Sequence, residues 1–175
     1  MNKADTGPEA APARPGVRDM GADLSQMPTL LRREIEARIA GPLLEAFMEE
    51  FGREKTLAVA SRVIERLARE AGAQLAKACG GNTLAHLAQG PSLSAAGGAL
   101  EKQALELSET TYNYNVVRCK YADMYRELGL ADLGLVLSCG RDFAMFAGFN
   151  PKLKLRRSQT IMEGADYCDF RLSLA

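Results

Sequence analysis

From Thr29 onward, apolar residues recur at helical spacing. Leu30, Leu31, Ile35, Ile39, Leu43, Leu44, Phe47 and Met48 are separated by Glu and Arg, which predicts an amphipathic helix. Gly41-Pro42 interrupts the run. Proline removes a backbone donor and crowds the preceding turn, so a break or a kink is expected there. Residues 52–81 predict a second long helix, with a stripe of Leu57, Val59, Ala60, Val63, Ile64, Leu67 and Leu75 and a stop at Gly80-Gly81. The heptapeptide NTLAHLA suits a short helix capped by Asn82, and QGPSLSAAGG reads as a loop.

After Ala99 the period changes. LELSETTYNYNVVRC alternates in part and is rich in Thr, Tyr and Val, which predicts a strand. KYADMYRELGLADLGLVLSCGRDFAMFAGF returns to helical character, divided into short helices by Gly129, Gly134, Gly140 and Gly148. The last stretch, KLKLRRSQTIMEGADYCDFRLSL, predicts two strands around a turn at residues 163–166. The whole is therefore an α+β fold: N-terminal helices packed on a small antiparallel sheet, with short helices inserted before a C-terminal β-hairpin. Residues 1–25, rich in Ala, Pro, Gly and charge, lack the apolar periodicity to pack and are expected to be a disordered arm. Residues 26–175 form a single domain on this reading.

Composition changes little in that picture and excludes several functions. The 175 residues balance 22 Lys+Arg against 22 Asp+Glu, and no basic stripe is interleaved with aromatics. Nothing here points to nucleic acid or to an anionic membrane. No apolar stretch reaches transmembrane length, and the N-terminus has no apolar export region, so the chain is expected to be cytoplasmic. Its four cysteines, at 79, 119, 139 and 168, contain no Cys-x-x-Cys pair and are expected as free thiols in a reducing compartment. Exposed Met and Leu in the helical half allow a homodimer.

Three cysteines lie in the C-terminal third, each close to a carboxylate: Cys119 with Asp123, Cys139 with Asp142 and Cys168 with Asp169. A free cysteine is often a small buried hydrophobe. Cys139-Gly140-Arg141-Asp142 offers more. Gly140 permits a tight turn, Arg141 supplies positive charge, and a helix over 141–148 would begin just past the thiol, with N–H groups that stabilise a thiolate. The bland alternative has Asp142 capping that helix and Arg141 solvated. A zinc site prefers closely spaced ligand pairs, whereas the cysteine gaps here are long and His86 is the sole histidine. Strand alternation puts Lys152, Lys154 and Arg156 on one face and Leu153, Leu155 and Arg157 on the other. Arg157 therefore points inward, where it needs an anion: an acidic substrate, or Glu163 or Asp123 as a structural partner.

Taken together, CKYADMYRELG, LSCGRDFAMFAGFNP and RRSQTIMEGADYCDFR resemble the L-2-amino-thiazoline-4-carboxylic acid hydrolase family of bacteria. The ending GADYCDFRL is also similar to the close of 4-vinyl reductase-type ligand-binding domains. The first resemblance implies hydrolysis of a non-peptide C–N bond in a small cyclic amidine carrying a carboxylate. The residues themselves offer Cys139 as nucleophile, Asp142 as proton carrier or partner of the positive amidine, and Arg157 and Arg141 as substrate-binding cations. Cys119, Cys168, Asp123 and Glu163 would line the pocket, or Cys119 or Cys168 would be the nucleophile instead. Asp123 stands where the family pattern has Glu. No cofactor is expected. The rivals are a metal-dependent hydrolase using the three cysteines, and a ligand-binding domain without turnover.

Overall fold

The structure, a computed structural model, describes residues 27–90 and 95–175; the proposed arm at 1–25 lies outside them. Helix α1 (Thr29–Phe51) runs unbroken through Pro42, so of the expected break or kink the break is absent. Gly52, at φ 85°, alone joins it to α2 (Arg53–Ala78). The Thr56 hydroxyl at the start of α2 donates to the Phe47 carbonyl and pins the joint. A short α3 (Leu84–Gln89) is capped by Thr83, whose hydroxyl accepts from the His86 N–H, rather than by Asn82. Thr83 wins because its oxygen sits three residues before that N–H.

The predicted strand at 105–119 is in fact a hairpin. β1 (Leu100–Leu107) pairs with β2 (Thr111–Cys119). The Ser108 hydroxyl accepts from the N–H groups of Thr110 and Thr111 and closes the turn. Alternation on both sides of Ser108 concealed a reversal made by local side-chain bonding. The expected C-terminal pair is present as β3 (Leu153–Arg156) against β4 (Cys168–Leu174). Its connection is longer than a tight turn and holds a 3-10 turn over Ile161–Glu163. The sheet order is β1-β2-β4-β3, antiparallel throughout.

Between the two hairpins run α4 (Lys120–Glu127), α5 (Ala131–Gly134), a π-helical turn (Leu135–Cys139) and α6 (Arg141–Phe149). Among the described residues the sheet is covered on one face. Tyr114, Val116, Cys168, Phe170 and Leu172 face Phe146 and Phe149 of α6 in one core cluster. A second cluster joins Ala37 of α1 to Ala122, Met124 and Tyr125 of α4, and to Leu133, Leu137 and Met162. The other sheet face carries Asn115, Asp169 and Arg171, and the Arg171 guanidinium donates to the Asn115 side chain and the Tyr114 carbonyl.

Helices α2 and α6 meet through glycine. A Cβ on Gly72 would stand 2.0 Å from the Met145 carbonyl oxygen, and one on Gly148 would stand 2.1 Å from that of Arg69. The inward line of α2 is accordingly Thr56, Ala68 and Gly72. Val59, Val63 and Leu67, part of the expected core stripe, are instead exposed.

Candidate functional site

The three C-terminal cysteines converge where the two core clusters touch. Cys119 packs against both clusters, Cys168 belongs to the first and Cys139 borders the second. Each thiol lies close enough to the others that their charges would repel: Cys119 and Cys168 both oppose ionisation of Cys139, and Cys168 opposes that of Cys119. Cys79 packs against the first cluster, beside Gly90. All four are free thiols.

Arg157 organises the site. Its side chain is only 7% exposed. Nη1 donates to Asp142 Oδ2 at 2.5 Å and Nη2 donates to the Cys139 carbonyl at 3.0 Å. The guanidinium is sandwiched between the rings of Phe143 (5.1 Å) and Phe170 (5.3 Å). Phe170 stacks on Tyr114 with centroids 4.9 Å apart, and Lys102 Nζ lies 5.1 Å from the other ring of that pair, Tyr114. The result is a column of cation, two stacked rings, cation and ring. Each contact uses the negative π-face toward positive charge.

The expected inward direction of Arg157 is therefore correct, and its anionic partner is Asp142. Neither Glu163 nor Asp123 reaches it. Glu163 is exposed and accepts from the Thr160 hydroxyl. Asp123 points outward from α4, 3.9 Å from Arg126. The alternation that hides Tyr121, Ala122, Met124 and Tyr125 leaves position 123 on the solvent side. Arg141 lies on the helical side, within electrostatic reach of Arg33, Glu36 and Asp142.

The helix past Cys139 begins at Arg141, as expected, but it is not a fresh N-terminus. Gly140 has helical dihedrals (φ −63°, ψ −20°) and makes no tight turn. Its N–H donates to the Leu135 carbonyl at 2.7 Å, so α5, the π turn and α6 run on as one irregular helix. The N–H just ahead of that helix, on Gly140, is thus bonded within the backbone. A π turn widens the helix by one residue, and such turns gather at functional sites.

The electrostatics follow from crowding. Burial, and then the charge of Asp142, push the Cys139 thiol up to about 12, with Arg157 opposing. Burial also raises Cys119 and Cys168. Asp142 is raised because its burial outweighs Arg157. Lys102 stands on the uncovered strand β1, yet neighbouring atoms desolvate its ammonium enough to lower it, against the pull of Asp142. The thiols are thus held protonated, beside a carboxyl of enhanced basicity. Among the described residues no group of three His, Cys, Asp or Glu side chains is placed to hold a metal ion.

Open space lies on the α2 side of the π turn. A cleft of about 370 Å³ is lined by Glu65, Arg69, Gly140, Phe143 and Ala144. A smaller one of about 150 Å³ adjoins it, sharing Glu65 and Gly140. Phe143 thus faces the larger cleft and covers Arg157.

Sequence reading missed Lys102 and Tyr114, and gave Asp169 no role beyond its nearness to Cys168. Asp169 accepts from the Ser158 and Gln159 N–H groups and from the Ser158 hydroxyl, fixing the chain just after Arg157. The Asp169-to-Ser158 pairing spans the β3–β4 connection and carries no local signal. Lys102 could have been found only by knowing that β1 is a separate strand.

The family described as L-2-amino-thiazoline-4-carboxylic acid hydrolase matches residues 32–172. The chain belongs to this family. Its match spans α1 through β4 and so includes every residue of the site. In fold, the chain is similar to the phenol-responsive sensory domain of the transcription activator PoxR, in a crystal structure with phenol. The TM-score is 0.54 at 13% identity, over 78% of this chain and 73% of that one. No curated protein matches the chain. Among the described residues no helix is long and apolar enough to cross a membrane.

Proposed function

We propose that this family member hydrolyses a non-peptide C–N bond in a small cyclic amidine or amide bearing a carboxylate, with Cys139 as nucleophile. The supporting observation is the Cys139–Asp142–Arg157 arrangement within the matched region. A thiol pushed up to about 12 supplies almost no thiolate near neutral pH, so attack must be coupled to proton transfer. Asp142, raised by burial, is the nearby acceptor. As Cys139 Sγ bonds the amidine carbon, its proton passes to Asp142. Asp142 then gives that proton to the departing nitrogen as the C–N bond breaks. Water attacks the same carbon, the carbon–sulfur bond breaks, and Cys139 is restored as a thiol. A cationic amidine would add positive charge beside both groups and ease the first transfer.

In this reading Arg157 is a positioning residue. Its two terminal nitrogens already hold Asp142 and the Cys139 carbonyl. The substrate carboxylate falls instead to Arg69, which lines the cleft. Turnover of thiazolines, lactams, cyclic ureas and amidines, with wild type and Cys139→Ser, tests the proposal. The variant should fold normally and lose turnover. Normal turnover in it removes Cys139 from the mechanism.

A second reading is a non-catalytic binding domain for a small aromatic or cationic ligand. The stacked column favours it, as does the fold shared with a phenol-responsive sensory domain. Ligand-induced melting shifts without turnover for the whole panel would select this reading.

A further inference from the structure

Helix α1 carries a second apolar row that its own core does not use. Leu31, Ile35, Ile39, Leu43, Phe47 and Phe51 recur at every fourth position and are all between 45% and 62% exposed. The inward side of the same helix holds Ala37 and Gly41. Residues four apart form a continuous ridge on a helix surface, the unit that packs into the groove of another helix. Val59, Val63 and Leu67 make a shorter row of the same spacing on α2.

The charges of α1 are ordered against its own dipole. Its first turn holds no acid and its last turn no base. The N-terminal half holds Arg32, Arg33 and Arg38 against Glu34 and Glu36, net +1, and the C-terminal half holds Glu45, Glu49 and Glu50, net −3. An isolated helix is stabilised by the reverse order. An antiparallel neighbour with the same sequence removes the conflict, because its acidic half lies beside the basic half of the first.

We infer that α1 is the contact between two copies of this chain, packed antiparallel about a two-fold axis near Gly41-Pro42. That axis sets Ile39 against Leu43 of the partner subunit and Ile35 against Phe47 of the partner subunit, so the ridge is self-complementary, as an isologous interface requires. It also brings Arg32 toward Glu50 of the partner subunit. At these exposures, with aromatic residues offering about 150–250 Å² and aliphatic ones somewhat less, the six α1 residues show roughly 600 Å² of apolar surface per copy. The smaller standard interfaces bury about this much on each partner, and a monomer seldom leaves a larger apolar patch in water.

Sedimentation equilibrium of the full chain tests the inference. The expected mass is twice the 18.9 kDa of the chain at micromolar concentration. Ile39→Glu, at an exposed position, should keep its helical circular dichroism and sediment as a monomer. Glu45→Lys/Glu49→Lys/Glu50→Lys makes both halves of α1 basic and should raise the dimer dissociation constant at least tenfold, with partial recovery in high salt. A monomeric wild type at 100 µM overturns the inference and leaves the ridge to the N-terminal segment or to a different protein. A dimer that survives Ile39→Glu also overturns it, by placing the interface elsewhere.

Discussion

The α2–α6 crossing determines where Cys139 and Asp142 stand, and Gly148, with Gly72, is one of its two exacting residues. A Cβ added there would meet the Arg69 carbonyl oxygen at 2.1 Å and its carbonyl carbon and Cα at 2.8 Å. An ordinary carbon–oxygen contact needs more than 3 Å, so α6 must withdraw from α2 by about 1 Å. All three atoms belong to backbone, so no rotamer change relieves them. Overpacking of this kind costs typically 1–3 kcal/mol, and a rigid backbone contact belongs at the upper end. Helix propensity works the other way, favouring alanine over glycine by about 1 kcal/mol. Gly148→Ala should therefore lose about 2 kcal/mol and lower the melting temperature by roughly 4–8 °C for a domain of this size. Gly140→Ala is the control. It sits in the same irregular helix with helical dihedrals, and its Cβ would lie 3.2 Å from the Leu135 and Val136 oxygens. It should stay within about 1 kcal/mol of wild type. Urea denaturation at neutral pH measures both. A Gly148→Ala variant as stable as wild type would refute the reasoning, because propensity would then outweigh the backbone clash.

Four further outcomes follow from the same geometry. Removing Arg157 as Arg157→Met leaves Asp142 without its ion pair in a crowded site and should cost about 3–5 kcal/mol, whereas the double variant with Asp142→Leu should recover much of that loss; a double variant no better than the single one contradicts the pairing. Alkylation of Cys139 by iodoacetamide at pH 8 should be about 10³-fold slower than that of an unperturbed cysteine, followed by mass spectrometry in the folded state; a fast reaction means that the thiol is ionised. Stability should fall as pH rises from about 9 toward 12: Cys139 is about 12 in the native state against 9.0 unfolded, so unfolding releases its proton across that interval and the loss from this group reaches at most about 4 kcal/mol. Cys139→Ala should flatten that slope, as measured by urea midpoints at several pH values. Asp169→Asn should loosen the chain after Arg157 and lower turnover more than stability; Asp169 is half-buried, and asparagine keeps one of its two acceptor oxygens, so the stability effect should be about 1 kcal/mol.

Much of the architecture was written in local periodicity. The long helices, the helix from Arg141 and the β3–β4 pair follow from apolar spacing, because one face of each must leave water whatever it packs against. The inward turn of Arg157 was equally legible, since strand alternation at Leu153 and Leu155 fixes the side to which position 157 points. What failed were places where a nearby hydrogen bond redirected a good pattern. Ser108 reversed a sequence that alternates on both sides of it. The Leu135 carbonyl captured the Gly140 N–H and turned an expected helix start into a π turn.

The sequence by itself determined the fold class, the family, and the three thiols with their neighbouring carboxylates, because these depend on residue type and order. Only the tertiary structure decided which carboxylate counts. Asp123, Asp142 and Asp169 are each close in sequence to a cysteine, yet one points to solvent, one pairs with Arg157, and one clamps the chain beside it. The same holds for Cys139. Arg141 and a helix start suggested a thiolate, whereas the surrounding atoms hold it as a thiol. Charge state depends on desolvation and on distances between groups far apart in the chain, and neither quantity exists until the helices have packed on the sheet.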